Sequence, residues 1–273
     1  MNFKICILIL THKSLKSNIT LFNNYTHVNF YIHVDLKLNF MEIYEEIKDL
    51  ENVFLVYDRV DVKWGGFSMV QATLNLINYA LQHDIENEYF HLISGDDVVL
   101  NDSLTWSDNQ IFIECYHSLS HRYRMRFNTP HADTKYQRFF WGKLLTQCFK
   151  FLDRIIPTDE FFYFGSQWFS IRRSELEVIL HSIADADINF FKKKLCPDEH
   201  FFQYLIKKND LISKVSSEGN KRFIVFDNNF QRGSSPIFLN NEQLNQAKKH
   251  GYWFARKVEQ GIMKKFYEQN FEA

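Results

Sequence analysis

The sequence predicts an α/β fold with a mostly parallel central sheet flanked by helices, and three observations point that way. Short apolar runs alternate with amphipathic stretches through the first hundred residues. One such stretch repeats Phe67, Val70, Leu74, Ile77 and Leu81 at intervals of three and four, the spacing of one buried helical stripe. Polar residues follow each early apolar run, as they do where parallel strands end at a ligand crevice.

In chain order, residues 3–10, 30–34, 53–56 and 89–93 read as strands with helices between them. Strand, helix, strand means parallel pairing through right-handed crossovers. The strand tips carry Thr11-His12-Lys13, Asp35-Leu36-Lys37, Asp58-Arg59 and Ser94-Gly95-Asp96-Asp97, so four polar tips converge on one edge, the candidate site. Beyond them we expect a strand over 111–115, a basic aromatic loop over 121–140 and a helix reaching Asp153. A strand over 161–171, a helix over 199–207, a strand near 223–226, a loop over 231–235 and a helix ending near Phe266 complete the order. No internal repeat, low-complexity tract or linker interrupts the 273 residues, so one domain spanning 1–273 is expected.

Composition excludes several classes. Hydrophobic residues make up 45% and aromatics 17%, ample for a sizeable core and unlike a disordered chain. The 32 basic and 33 acidic residues cancel to a net charge of -1, so no global field favours nucleic acid and any anion site must be local. Cys6, Cys115, Cys148 and Cys196 are widely spaced and form no CxxC pair, which suggests neither a zinc knuckle nor a disulfide framework and fits a reducing compartment. The apolar run 5–10 is too short to cross a bilayer and lacks a cleavage-site pattern, so it reads as a buried strand and the protein as cytoplasmic.

Seven segments, in order, resemble the Core-2/I-branching β-1,6-N-acetylglucosaminyltransferase family, which includes the peptide O-xylosyltransferases. They are ILTHK at 9–13, YIHVDLK at 31–37, WGGFSMVQATLNL at 64–76, HLISGDD at 91–97, GSQWFSIRR at 165–173, PDEHFFQYL at 197–205 and FARK at 254–257. The resemblance implies a GT-A type, Rossmann-like fold, an inverting reaction, a nucleotide-sugar donor, usually a UDP-sugar, and catalysis without a divalent metal or other cofactor. It divides the domain into a nucleotide-binding half, 1–100, and an acceptor-binding and catalytic half, 101–273. Eukaryotic relatives work behind a membrane anchor; with neither anchor nor cysteine framework here, a bacterial-type cytoplasmic enzyme is expected.

Single displacement requires a base on the acceptor side and charge stabilisation at the leaving diphosphate. The resemblance implies that Glu199, opening the expected helix, is the base, although an acid there also complements a helix dipole. It implies that Lys257 grips the diphosphate, with Arg232 its candidate partner, since a guanidinium can hold two phosphate oxygens. Arg256, beside Lys257, could equally be exposed. Asp96-Asp97 stands where branching enzymes typically carry SGQD. The pair could bind Mn²⁺, but hard cations want more oxygen ligands, so hydrogen bonding to the sugar or to backbone amides is the preferred role.

Asp35 could accept hydrogen bonds from the nucleotide or cap a helix, and His12 could touch the nucleotide. Trp64-Gly65-Gly66 could bring backbone amides to a ligand or form a plain tight turn. Gln167 and Trp168 could bind a pyranose by hydrogen bonds and stacking, or Trp168 could be core. Lys135 and Arg138 match an acceptor-binding basic pair loosely. His33 and His91 read as satisfied core imidazoles, and His200 is assigned no role. The aromatic tail over 252–271 could rest on a membrane near lipid-linked acceptors or pack as an ordinary helix.

The function expected from these features is transfer of N-acetylglucosamine, or a related sugar such as xylose, from UDP to a glycan hydroxyl with a β linkage, in surface-polysaccharide synthesis. Partners are the UDP-sugar, a glycan acceptor and a peripheral membrane surface, without nucleic acid. A Mn²⁺-dependent transferase using Asp96 and Asp97, and a carbohydrate-binding protein without turnover, are the alternatives; a phosphodiesterase or nuclease is disfavoured by the missing acidic cluster.

Overall fold

A computed structural model describes residues 4–101, 103–226 and 236–271. The first half runs β1 (Lys4–Thr11), α1 (Ile19–Asn24), β2 (Val28–Val34), α2 (Phe40–Ile47), β3 (Val53–Leu55), α3 (Phe67–His83) and β4 (Asn87–Ser94). There follow β5 (Val98–Val99), β6 (Phe112–Ile113), β7 (Tyr116–His117), α4 (Tyr123–Arg126), α5 (Phe140–Ile155), β8 (Tyr163–Phe164) and β9 (Phe169–Arg172). The remainder is α6 (Arg173–His181), α7 (Asp185–Phe191), α8 (Phe201–Lys208), β10 (Arg222–Ile224), α9 (Asn241–Lys249), β11 (Phe254–Arg256) and α10 (Gln260–Phe271).

Six strands form the central sheet in the order β3-β2-β1-β4-β9-β6. The first four are mutually parallel, whereas β9 runs antiparallel to both β4 and β6. The fold is therefore mixed α/β with a mostly parallel sheet, as expected, and the second half of the chain completes the sheet begun by the first. A smaller sheet, β10-β11-β5, stands beside it.

The continuous apolar run of β1 has a simple cause: both faces of the strand are covered. Ile5, Ile7 and Ile9 join a core with Leu21 and Phe22 of α1, Ile43 and Ile47 of α2, and Met263, Phe266 and Tyr267 of α10. Cys6, Leu8 and Leu10 face the other way, into a core with Val70, Leu74 and Ile77 of α3, Leu176 of α6 and Phe201 and Leu205 of α8. Each such side chain contributes about 1.5–3 kcal/mol by leaving water. Since the apolar residues of α10 are spent on this core, and the Tyr267 hydroxyl accepts a hydrogen bond from Val99 N at 2.9 Å, the tail is a packed helix rather than a membrane-resting one.

Several element boundaries differ from expectation. The strand expected over 161–171 breaks into β8 and β9, because the backbone at Gly165 passes so close to Glu114 that a Cβ would lie 1.8 Å from its carbonyl oxygen. Residues Pro197–Glu199 form a 3-10 turn, and the α-helix begins only at Phe201. A short helix, α4, lies within the expected basic loop, and α10 continues past Phe266 to Phe271. The loop over 231–235 lies outside the described residues. His33 and His91 are core imidazoles as expected: His33 Nε2 accepts from Val60 N at 3.0 Å, and His91 bridges Ser170 Oγ and Leu104 O. No helix among the described residues is long and apolar enough to cross a membrane.

Candidate active site

Strand order reverses at β1, with β2 and β3 on one side and β4 on the other, so the carboxyl ends of β1 and β4 flank the crevice where parallel sheets bind ligands. Backbone bonds from Asp35 N to Thr11 O and from Gly95 N to Leu10 O, both 2.9 Å, draw the three tips together. A Cβ at Gly95 would meet Thr11 Oγ1 at 2.5 Å, so only glycine permits this approach. The end of β11 is tied to the same edge by Val258 N donating to Asp96 O at 3.0 Å, which delivers Lys257 to the β4 tip.

Asp96 is 2% exposed, and two lysines converge on it: Lys13 Nζ at 2.5 Å and Lys257 Nζ at 3.5 Å. Burial alone would raise its pKa, but the Lys13 hydrogen bond and the charges of both lysines outweigh burial and hold the carboxyl below its usual range. His12 stands beside them with its pKa lowered by desolvation, against the pull of Asp96. Asp97 is fully buried and faces Arg222 Nε at 3.0 Å and Arg256 Nη1 at 3.6 Å. Burial lowers the Arg222 pKa to about 10, leaving it charged at neutral pH. Four cations thus surround two carboxylates at this edge of a chain whose net charge is -1.

Two expectations change here. Arg256 is not a surface cation; it is held against buried Asp97. Trp168 is no open stacking platform, because its indole is buried with the guanidinium of Arg256 4.7 Å and that of Arg222 5.3 Å from the ring centroid. That cation–π packing keeps two buried guanidiniums beside one carboxylate. Both aspartates are engaged by cations, and among the described residues no group of three His, Cys, Asp or Glu could hold a metal ion.

Glu199 sits in the 3-10 turn that precedes α8. Cys196, in the left-handed region at φ 49°, starts that turn, and Cys196 N donates to Gly65 O at 2.9 Å. Gly165 N donates to Glu199 O at 3.0 Å, joining the turn to the segment that carries Gln167 and Trp168. The Glu199 carboxylate remains one-third exposed and accepts a hydrogen bond from Arg124 Nη1. Its neighbour Asp198 has a pKa raised by burial and then by the Glu199 charge, and its Oδ1 has no hydrogen-bond partner. His200 donates from Nδ1 to Tyr163 O at 2.7 Å; burial and then the Arg124 charge push its pKa down to about 3, so it is neutral. Tyr116 is raised by burial and then by Glu114 and Glu199, which marks Glu114 as a second carboxylate nearby.

The remaining candidates divide. Asp35 caps no helix: its carboxylate accepts from Lys37 N and pairs with Lys37 Nζ, both at 2.9 Å, while Asn39 caps α2. Gly65 is enclosed, its carbonyl taken by Cys196 N and Gln137 Nε2, so it organises the turn and does not face a ligand. The N-terminus of α3 is likewise filled: Asp133 accepts from Ser68 N at 3.1 Å and Ser68 Oγ at 2.6 Å, in space that a Cβ at Gly66 would occupy. Trp64 is exposed and overlaid by Arg138 at 5.2 Å, bringing those two candidates together, while Lys135 lies over Tyr136 at the surface. Gln167 is buried with its Oε1 unpartnered. Arg232 lies outside the described residues.

Sequence reasoning missed Lys13, Glu114, Arg124 and Arg222. Signals existed for some: Lys13 is part of the polar β1 tip, Arg124 of the basic aromatic loop, and Arg222 opens an apolar run, where a charge is unusual.

A model of the Core-2/I-branching enzyme family matches residues 7–259. No curated protein matches the sequence. Among the solved structures that match is the apo structure of WbbM, a bifunctional glycosyltransferase, with a TM-score of 0.44 and 11% identity. That match covers 95% of this chain and 46% of the other, so this chain spans about half the length of that structure.

Proposed function

The chain belongs to the Core-2/I-branching enzyme family of glycosyltransferases, and from that premise we propose that it moves a sugar, N-acetylglucosamine or a relative such as xylose, from a UDP donor to a glycan hydroxyl with inversion. The observation that carries this reading is the convergence of Lys13 and Lys257 on Asp96 at the β1 and β4 tips, two cations against one carboxylate, at the ligand end of a parallel sheet.

In this mechanism the acceptor hydroxyl attacks the anomeric carbon from the face opposite the diphosphate, the carbon–oxygen bond to phosphate breaks, and the hydroxyl proton passes to Glu199. Arg124 holds that carboxylate in position until the acceptor arrives. Lys257 neutralises the departing UDP, with Arg232 proposed as its partner, and Asp96 holds Lys257 and Lys13 in place for that task. Asp35 and His12 lie at the tips where a nucleotide would rest, and Gln167, Trp64, Arg138 and Lys135 line the acceptor approach. Asp97 supports the site through Arg222 and Arg256. With both aspartates engaged by cations, the chemistry is proposed to need no divalent metal, and the product to be a β-linked glycan of a surface polysaccharide.

The test is UDP release from a panel of UDP-sugars with pooled glycan acceptors, with and without EDTA, comparing wild type with Glu199→Gln. EDTA-resistant, acceptor-stimulated release that falls by about 10²–10⁴ in Glu199→Gln is expected. Release abolished by EDTA would replace this mechanism with a metal-dependent one, and an undiminished Glu199→Gln variant would remove Glu199 from the role of base.

A further inference from the structure

The helix α5 is installed with its apolar face outward. Phe140, Trp141, Leu144, Leu145, Phe151 and Ile155 are 41–70% exposed. At 100° per residue they fall within roughly 140° of arc on one side of the helix. What α5 turns to the protein is Gly142, Phe149, which stacks on Phe127, and the buried carboxylate of Asp153, which pairs with Arg122 Nε at 3.0 Å and Arg126 Nη1 at 3.2 Å. Arg126 also donates to Ile156 O at 2.7 Å, securing the C-terminal end. The helix is thus anchored by ion pairs, a glycine contact and the Phe149 ring, while the six residues of its outer apolar stripe meet solvent.

The charge around the stripe is one-sided. Asp153 is the sole acid of α5 and is buried, whereas exposed Lys143 and Arg154 lie along one flank of the apolar arc, within roughly 40° of each other; Lys150, on the same flank, turns its ammonium over the Tyr123 ring. Lys135 and Arg138 precede the helix and are exposed. A chain of net charge -1 thus places several of its cations beside this exposed apolar surface.

We infer that α5 is an in-plane membrane helix that docks the protein on an anionic lipid bilayer. An aromatic and aliphatic face edged by lysine and arginine is the chemistry that enters the headgroup boundary and is drawn to anionic lipid. A second copy of the chain fits less well, since antiparallel apposition of two such helices would set Lys143 of one against Arg154 of the other. Docking through α5 does not depend on the sugar-transfer reading; it would hold for any chemistry in the crevice. The helix follows directly on the loop that supplies Arg124 to Glu199 and Arg138 to Trp64, so the site stands one loop from the bilayer.

Flotation of the full chain tests this with vesicles of phosphatidylcholine alone or mixed with phosphatidylglycerol, at low and high salt. Flotation with the anionic vesicles, weakened by salt, is expected. Each charge removed in Lys143→Gln and Arg154→Gln should lower partitioning about fivefold. Phe140→Ser with Trp141→Ser should abolish flotation while leaving the melting temperature and UDP release in solution unchanged, because both residues are exposed and outside the crevice. Absence of flotation with anionic vesicles, or flotation indifferent to Phe140→Ser with Trp141→Ser, overturns the inference. A dimer by light scattering that these substitutions dissociate, without flotation, assigns the face to a second copy instead.

Discussion

Replacing Asp97 by asparagine asks whether the second acid of the SGDD segment serves ligand or fold. The carboxylate is fully buried, Arg222 is 1% exposed and Arg256 is 13% exposed. Asp97→Asn keeps the shape but leaves two guanidiniums without their anion in a place water barely reaches. Breaking a buried ion pair by removing one partner costs about 3–5 kcal/mol. Arg256 reaches some solvent and stands 3.6 Å away, so the lower figure, about 3 kcal/mol, applies. In a chain of this size that lowers the melting temperature by roughly 6–12 °C. Thermal unfolding followed by circular dichroism at neutral pH, supported by the urea midpoint, measures it. Adding Arg222→Met to Asp97→Leu removes the two most deeply buried charges and leaves only Arg256, which reaches some solvent, so it should recover part of the loss, because an apolar pair of similar volume needs no desolvation. If Asp97→Asn melts with wild type yet loses UDP binding, Asp97 is a ligand contact and the structural assignment fails.

Lys257→Ala should weaken UDP binding about 10–100-fold by titration calorimetry, the worth of one charge-assisted hydrogen bond, and Lys13→Ala should weaken it less; equal affinities would remove Lys257 from the donor site. Gly66→Ala forces Asp133 off the α3 terminus and should cost about 1–3 kcal/mol in urea unfolding, as lost caps do. Burial depresses His33 to about 4 and His91 and His200 to about 3, so each favours the folded state above the unfolded pKa near 6.5 and loses that contribution as pH falls toward the folded value. At pH 5 this is roughly 2 kcal/mol per histidine as an upper bound, and His91→Gln should flatten the acid limb of a melting-temperature profile. Asp198 runs the other way: with its pKa raised to about 7, its contribution is complete below the unfolded carboxylate pKa and is lost as pH rises through 7. Asp198→Asn should therefore raise the melting temperature most at pH 8, less at pH 5 and little below pH 4.

Much of this architecture is visible in residue order because it rests on near neighbours. The β1 run is apolar because both its faces are covered, and the 3–4 spacing of α3 records one buried stripe. The polar tips, the family segments and the glutamate of PDE are likewise contiguous strings, and the family could be read from them.

Partner choice is a different matter, since an ion pair is decided by which distant segments meet. Arg124 and Glu199 are 75 residues apart, and Lys13 and Asp96 are 83 apart. Nothing local says that Arg256 turns inward to Asp97 and Trp168 while its neighbour Lys257 reaches Asp96. The same holds for which way a stripe faces: the periodicity of α5 would suit a core as well as a bilayer, and only the anchoring of Asp153 by Arg122 and Arg126 turned its apolar side out. Sequence by itself determined the α/β class, most of the order of elements and the family. Tertiary structure alone decided which charges neutralise one another and which apolar face remains uncovered, because burial and Coulomb energy depend on distances in space that residue order does not encode.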